Sequence, residues 1–226
     1  MKNIYVISVG GSLIAPDGID KNFLKKFCLA LMTSAKGKQF VVIPGGGATA
    51  RQYQKAAEEL GKASNDDLDW IGIAANVLHS HFLRAIFGKY AHPGIVELNS
   101  KTPDIKKSIA IARGGLKPGG TSDSTAVKFA EKFKAKTVIN LTNVSGVYDR
   151  DPRKFKNAKL IPHMSWAQLK KQFGTKKTPG RNLPFDSAAA DMAAKLKLCA
   201  AIMNGRDLKN FQSFLDGQAF TGTLIQ

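Results

Sequence analysis

The stretch "VVIPGGGATAR", residues 41–51, indicates the type of fold and raises the first question about function. An apolar run ends in a proline, three glycines follow, and a helical pattern then begins that carries Arg51. A strand that passes through a glycine turn into a helix is the basic unit of an α/β sheet. Gly45, Gly47 and Ala50 also match the dinucleotide-binding fingerprint G-x-G-x-x-G/A. The glycines could therefore bind a dinucleotide, bind another phosphate group or only turn the chain.

The same alternation of apolar runs and helical patterns continues along all 226 residues. Strands are predicted at 4–9, 40–43, 95–98, 108–112, 137–141, 200–203 and 223–225, with a short extended piece at 160–161. Helices are predicted after Asp20, over 49–60, 68–87, 121–133, after Ser165, and over 186–198 and 208–215. This alternation predicts an α/β fold in three layers, a mostly parallel central sheet with helices on both faces.

The longest predicted helix, 68–87, carries apolar residues at the spacing of one buried face. These residues are Ile71, Ala75, Leu78, Phe82 and Ile86. We therefore expect this stripe to pack into the core of the protein, as such stripes do in most globular proteins.

The composition is that of an ordinary globular protein, with 43% hydrophobic and 23% charged residues. No run approaches the roughly 18 apolar residues that a membrane span needs. Cys28 and Cys199 lack C-x-x-C spacing, which favours free thiols in a reducing cytoplasm. The four histidines show no spacing typical of metal ligands. We expect a cytoplasmic protein without a metal site of its own.

The net charge of +17 is unusual and predicts affinity for anions. It is concentrated over 150–181, where ten Lys or Arg residues accompany one acid, Asp151. A solvated basic surface is the interpretation that we favour; a nucleic-acid surface is the alternative. No zinc finger, helix-turn-helix or aromatic RNA-binding signature supports the alternative. Within this stretch, residues 174–185 are rich in Gly, Pro and Lys, which predicts a mobile loop.

Three glycine turns each follow an apolar strand. They comprise Gly10 and Gly11, the glycines of 45–47, and the turn 114–124. Ligands of open α/β sheets bind at the carboxyl ends of the strands, where glycine lets backbone N–H groups approach an anion. One such turn is a weak signal, but three in one sheet indicate a ligand with several phosphates.

The dinucleotide interpretation requires an acidic residue at a position where this sequence does not have one. That residue should end the next strand, about 20 positions on, to bind a ribose hydroxyl. Asp66, Asp67 and Asp69 lie at about that distance, but they open a helix. Walker A and protein-kinase signatures are also missing. A protein that binds ATP here would have to use another phosphate-binding arrangement.

The third glycine turn carries the most chemistry. Hydroxyl side chains at 121–124 surround Asp123 at a helix start, which could be no more than a helix cap. They could also donate to a phosphate, with Asp123 orienting a lysine or Mg²⁺. Lys117 and Arg51 could neutralise a transferred phosphoryl group, because phosphoryl transfer depends mainly on positioning and electrostatics. Arg51, Lys117 and Asp123 are therefore the candidate catalytic residues.

The stretch "LTNVSGVYDRDP", residues 141–152, follows another predicted strand. The ring of Tyr148 could pack on a base, and the carboxylate of Asp151 could accept from a ribose hydroxyl. A loop with Asx-type turns explains the same residues equally well.

Taken together, these motifs resemble those of the amino-acid kinase superfamily, and within it the archaeal branch of the uridylate kinases. The resemblance rests on "GGSL", "GGGATAR", "DLDWIGIAAN", "GGLKPGGTSDSTAV", "TNVSGVYDRDP", "KLIPH" and "NGRDL…GTLI", which occur in family order along nearly the whole chain. It implies transfer of the γ-phosphate of ATP to UMP, with Mg²⁺ entering together with ATP and no tightly held protein metal.

The resemblance also implies the binding residues. Those for UMP are Gly46, Asp69, Gly115, Leu116, Lys117, Pro118, Gly119, Gly120, Thr121 and Ser122. Those for ATP are Gly10, Gly11, Gly47, Arg51, Thr142, Asn143, Tyr148 and Asp151. One domain over 1–226 is implied, with acceptor binding over about 1–135 and ATP binding over about 136–226. Homohexamers built from dimers are also implied, with the long helix at the dimer contact.

Two positions depart from the family pattern. Ser8 stands where many members carry a lysine that neutralises the transferred group, and Ser145 stands where an aspartate is usual. Lys117 and Arg51 remain the candidates for the missing cation. The alternatives are another small-molecule kinase of this fold, or a weakly catalytic module that senses nucleotides or binds nucleic acid.

Overall fold

The computed structural model describes residues 3–103, 105, 107–174 and 185–226. The predicted loop 174–185, and with it Arg181 of the basic stretch, therefore lies almost wholly outside the described residues. The strands are β1 (Asn3–Val9), β2 (Lys38–Pro44), β3 (Ile109–Ile111), β4 (Thr137–Thr142), β5 (His163–Met164), β6 (Cys199–Asn204) and β7 (Thr223–Ile225). They form one sheet of order β3-β2-β1-β4-β6-β7-β5.

The helices are α1 (Gly11–Ile14), α2 (Lys21–Thr33), α3 (Gly47–Leu60), α4 (Asn65–Phe87), α5 (Ser122–Phe133), α6 (Trp166–Phe173), α7 (Ser187–Lys195) and α8 (Leu208–Leu215), with a 3₁₀ turn at Gly88–Tyr90. The predicted caps at Asp20 and Ser165 are both present, because each side chain accepts an N–H bond from the first turn of its helix. Among the described helices, none combines the length and the apolar character needed to cross a membrane.

Two layers of side chains, one on each face of the sheet, form the core. Along β1, Val6 faces the cluster that contains Phe129 of α5, and Ile7 faces the cluster that contains Phe27 of α2. This alternation follows from the two-residue period of a strand. The sheet is parallel except that β7 runs antiparallel to β6 and carries β5 beside it. The predicted three-layer α/β fold is therefore confirmed.

The predicted strand 95–98 is not formed, and the predicted extended piece 160–161 forms only a single bridge. Residues 95–98 contribute only a bridge between Val96 and Ala112, and 160–161 contribute a bridge between Leu160 and Tyr148. The edge strand is instead His163–Met164. The four-residue helix α1 was not predicted, because a single turn after a glycine pair has no periodicity to detect.

The predicted core face of the long helix is only partly correct, because Ala75 is buried and Phe82 packs against the core, whereas other members of the stripe are exposed. The exposed fractions of Leu78 and Ile86 are 58% and 41%, whereas Leu83 and Phe87 are buried. The helix is apolar on more than one side, so its periodicity could not tell the side that packs on α3 and the sheet from the side that faces solvent. An apolar stripe of α4 is consequently left on the surface.

Backbone contact between two glycine turns fixes the carboxyl edge of the sheet. The N–H of Gly45 donates to the carbonyl of Val9 at 2.9 Å, and Gly47 adopts a positive φ of 61°. A Cβ atom on Gly11 would lie 2.0 Å from the backbone nitrogen of Gly47. Because backbone atoms cannot move aside as a flexible side chain can, the turns after β1 and β2 both need glycine.

The contact predicts that Gly11→Ala separates the two turns. We expect the free energy of unfolding to fall by about 2–3 kcal/mol, as for overpacking elsewhere in proteins. Urea denaturation measures this loss. Gly61→Ala is the matched control, because its Cβ atom would lie 3.4 Å from the nearest atom, the carbonyl oxygen of Ala57. Equal stability of the two variants would contradict the role of the contact.

Candidate active site

The structure brings together the predicted ATP residues on β1, β2 and β4. Gly11 and Gly47 are in backbone contact, and the N–H of Gly10 donates to the carbonyl of Leu141 at 2.8 Å. A Cβ atom on Gly10 would lie 3.8 Å from the Cα atom of Thr142. These residues line up at the carboxyl edge of the sheet, where α/β proteins bind ligands.

The remaining predicted ATP residues lie on the loop after β4. Asn143 is exposed, and Tyr148 is half-buried where it bridges to Leu160. Asp151 accepts from the backbone N–H and the guanidinium of Arg153 at 2.9–3.0 Å. The side-chain hydrogen bond from Arg153 lowers the pKa of Asp151 below its usual value. The carboxylate of Asp151 is thus a charged hydrogen-bond acceptor, and both of its oxygens already accept hydrogen bonds from Arg153.

A cavity of about 150 Å³ lies beside the glycine turn that follows β2. It is lined by Ala50, Asp69, Gly72, Ile73, Asn76, Gly115, Lys117, Gly120, Thr121 and Ser122. Most of these residues belong to the predicted acceptor site. Leu116, Pro118 and Gly119 complete the turn that covers the cavity, and Gly46 packs against Asn76 at its inner end.

Asp69 joins the long helix to this covering turn. Its Oδ2 atom accepts from the backbone N–H of Gly119 at 2.7 Å. Gly119 and Gly115 both have positive φ values, 74° and 70°, which lets the turn fold back toward the helix. The carboxylate has further lone pairs, so it can accept from a ligand hydroxyl while it holds the turn.

Sequence reasoning missed the other residues of α4 that face the cavity. Gly72, Ile73 and Asn76 follow Asp69 at three, four and seven positions, so they share its helix face. That spacing was the available signal. A Cβ atom on Gly115 would lie 3.0 Å from Nδ2 of Asn76, so the helix and the turn are in close contact.

His79, also missed, holds the glycine turn from below. Its Nδ1 atom lies 2.7 Å from the carbonyl oxygen of Gly45, and its Nε2 atom lies 3.3 Å from Oγ1 of Thr49. Only 1% of its surface is exposed. The imidazole therefore connects α4, α3 and the turn as a buried support.

Asp123, on the first turn of α5, carries a carboxyl group enclosed between α5, α7 and β4. It accepts from the side-chain amide of Asn140 at 3.3 Å and from the N–H of Asp186 at 3.1 Å. Burial, reinforced by the charge of Asp186, raises the pKa of Asp123 to about 7. Ser8 stands where the resemblance implies a lysine. It is paired with Asn140 across β1 and β4, so the side chains of Ser8 and Asn140 lie on the same face of the sheet.

The two candidate cations are placed differently. Lys117 is exposed on the covering turn and lines the cavity. Arg51 is exposed on α3, next to the cavity residue Ala50. Within the described part of the chain, no group of three His, Cys, Asp or Glu side chains is arranged to hold a metal ion.

Comparison with known proteins gives a consistent result. The sequence model of the Amino acid kinase family matches residues 3–204. A uridylate kinase of Thermoplasma volcanium is 33% identical, covering 100% of this chain and 99% of that protein. One of Methanospirillum hungatei is 36% identical over 97% and 93% of the two chains. The crystal structure of uridylate kinase from Archaeoglobus fulgidus superposes with a TM-score of 0.80 at 31% identity, covering 100% of both chains.

The raised pKa of Asp123 predicts a pH-dependent stability. The carboxyl ionises near 3.8 when unfolded and near 7 when folded, so the folded state keeps a proton across this window. The stability that this proton confers is complete below pH 3.8 and is lost as the pH rises through 7. Relative to Asp123→Asn, the wild type should lose up to about 1.4 kcal/mol per pH unit.

Urea denaturation at several pH values between about 4.5 and 8 checks this difference. Asp17→Asn is the control, because it removes the same charge from an exposed site. Parallel stability curves for the wild type and Asp123→Asn would show that Asp123 keeps its ordinary pKa.

Proposed function

The chain belongs to the amino acid kinase family. We propose that it transfers the γ-phosphoryl group of ATP to UMP, giving UDP and ADP. The proposal is supported by full-length relatives that are named uridylate kinases. The observation that carries it is the cavity between α4, which carries Asp69, and the covering turn from Gly115 to Ser122.

In this proposal the cavity holds UMP. Asp69 accepts from the ribose hydroxyls, and the covering turn from Gly115 to Ser122 encloses the uridine and its phosphate. Gly46 offers its backbone to that phosphate at the start of α3, where the helix dipole favours negative charge. The acceptor phosphate then points toward Gly47, on the side of ATP.

ATP lies along the edge formed by β1, β4 and the loop after β4. Gly10, Gly11 and Gly47 offer backbone groups to its phosphates. Thr142, Asn143, Tyr148 and Asp151 surround its base and ribose, so the donor half of the chain is about 136–226. Mg²⁺ would enter with ATP and would offset negative charge on the phosphates during transfer.

The reaction needs little covalent chemistry from the protein. An oxygen of the UMP phosphate forms a bond to the γ-phosphorus as the bond to the bridging oxygen of ADP breaks. The two glycine turns hold donor and acceptor in line, and Lys117 and Arg51 offset the negative charge between them. Asp123, in the first turn of α5, would orient a lysine or Mg²⁺ at the transferred group.

An acceptor panel tests the assignment. ADP release with Mg²⁺ and ATP is measured with UMP, CMP, acetylglutamate, aspartate, carbamate or isopentenyl phosphate as acceptor. We expect turnover with UMP that requires both UMP and Mg²⁺. Turnover with another acceptor alone would keep the fold and overturn the substrate. Nucleotide binding without turnover on any acceptor would favour a sensing module.

Replacement of Asp69 should separate the two substrates. Asp69→Asn weakens the acceptor for the ribose hydroxyls, so the KM for UMP should rise by about tenfold or more while the KM for ATP changes little. Steady-state kinetics with each substrate varied in turn measure both values. Asp66→Asn is the control, because Asp66 is exposed one turn earlier on the same helix and does not line the cavity. Equal effects on UMP and ATP would contradict the pocket assignment.

We also propose that the protein forms homohexamers through dimers that meet at α4. The support is the apolar surface left on this region, where Leu78, Ile86, Trp70 and Tyr53 are exposed. A second copy of the chain would cover this stripe, which explains an apolar helix face that the sheet does not bury.

A charge on that stripe should disrupt the assembly. Leu78→Glu should shift the protein to smaller species, because a carboxylate would be buried at the contact. Sedimentation velocity measures the change. Leu29→Glu is the control, because Leu29 on α2 has the same exposed fraction, 58%, as Leu78. Unchanged sedimentation of Leu78→Glu would place the contact elsewhere.

A further inference from the structure

Asp186 makes three connections at the proposed active site, although sequence analysis used it only as a helix start. Its carboxylate accepts from the N–H of Ala189 at 2.9 Å, which caps α7. The same carboxylate accepts from the hydroxyl of Thr121. Its backbone N–H donates to Asp123 at 3.1 Å. One residue is therefore bonded both to a cavity-lining side chain and to the buried carboxyl.

These bonds join segments that are distant in sequence. Thr121 ends the covering turn of the UMP cavity and caps α5 by accepting from the N–H of Ser124 at 3.0 Å. Asp186 begins α7, within the part of the chain proposed for ATP. The first turns of α5 and α7 are thereby held side by side. A cap alone would need only the bond to Ala189.

We propose that Asp186 is a positioning residue for phosphoryl transfer, which fixes Thr121 and Asp123 relative to the ATP-binding part of the chain. The inference rests on the proposed function, since it concerns the same site. Asp186 acts through its two partners and does not touch the substrates. Without Asp186, the covering turn loses its fixed position relative to the donor phosphates. Misplaced reacting groups slow phosphoryl transfer strongly.

The surroundings of Asp123 supply a second readout. Of the elements packed against the start of α5, β1 presents Ser8 and β4 presents Asn140, neither of which titrates here. α7 presents Asp186, whose negative charge raises the pKa of Asp123. Among the described residues, no cation is bonded to Asp123. An asparagine at 186 keeps the backbone N–H and removes the charge, so the pKa of Asp123 should fall.

The test compares Asp186→Asn with Asp207→Asn. Asp207 caps α8 in the same way, accepting from the N–H of Asn210 at 3.0 Å, but has no bond to the cavity. Asparagine is a good cap, so both variants should fold and keep similar stability in urea. With ATP, Mg²⁺ and UMP, kcat should fall about tenfold or more for Asp186→Asn and change less than about twofold for Asp207→Asn.

The pH profile and a double-mutant cycle complete the test. The limb of the kcat profile that Asp123→Asn abolishes should move to lower pH in Asp186→Asn. Thr121→Val should lower kcat with little further effect in the double variant, and Thr121→Ser should restore activity because it keeps the hydroxyl. The inference is overturned if the wild type is active and the two variants Asp186→Asn and Asp207→Asn have the same kcat. It is also overturned if the limb of the kcat–pH profile stays at the same pH in Asp186→Asn. A wild type inactive on UMP overturns the proposed function itself.

Discussion

Contact between the backbones of two glycine turns is the constraint on which the site depends. The turns after β1 and β2 lie so close that a Cβ atom on Gly11 would overlap Gly47. This closeness places Gly10 and Gly11, which are proposed for ATP, beside the turn that contains Gly46, which is proposed for the phosphate of UMP. His79 supports the second turn through the Gly45 carbonyl, and α4 carries both His79 and Asp69. The same helix thus supports the phosphate turn and forms one wall of the acceptor cavity.

The electrostatics around Asp123 follow from its burial. The carboxyl of Asp123 accepts hydrogen bonds from Asn140 and from the backbone of Asp186, and Ser8 is paired with Asn140 on the neighbouring strand. Burial therefore keeps Asp123 protonated up to about pH 7. Lys117 is exposed where it lines the cavity, and the net charge of +17 predicts attraction of anions.

Periodicity predicted most helices and strands correctly, because apolar residues recur every 3.6 or every two positions. The comparisons confirm the family that the glycine motifs had indicated. Periodicity failed on α4, where two apolar stripes exist and only packing decides which one is buried. It also gave no sign that His79 supports the glycine turn after β2, since this residue belongs to no motif.

The α/β architecture, the glycine turns and the acidic and hydroxyl side chains that follow them can all be read from the amino-acid sequence. These features are local, because strand period, helix caps and glycine conformation depend on neighbouring residues. The burial of one stripe of α4 and the contacts of Asp186 with Thr121 and Asp123 are visible only in the folded chain. Those contacts join segments far apart in the chain, and their partners are set by how the helices pack across the sheet.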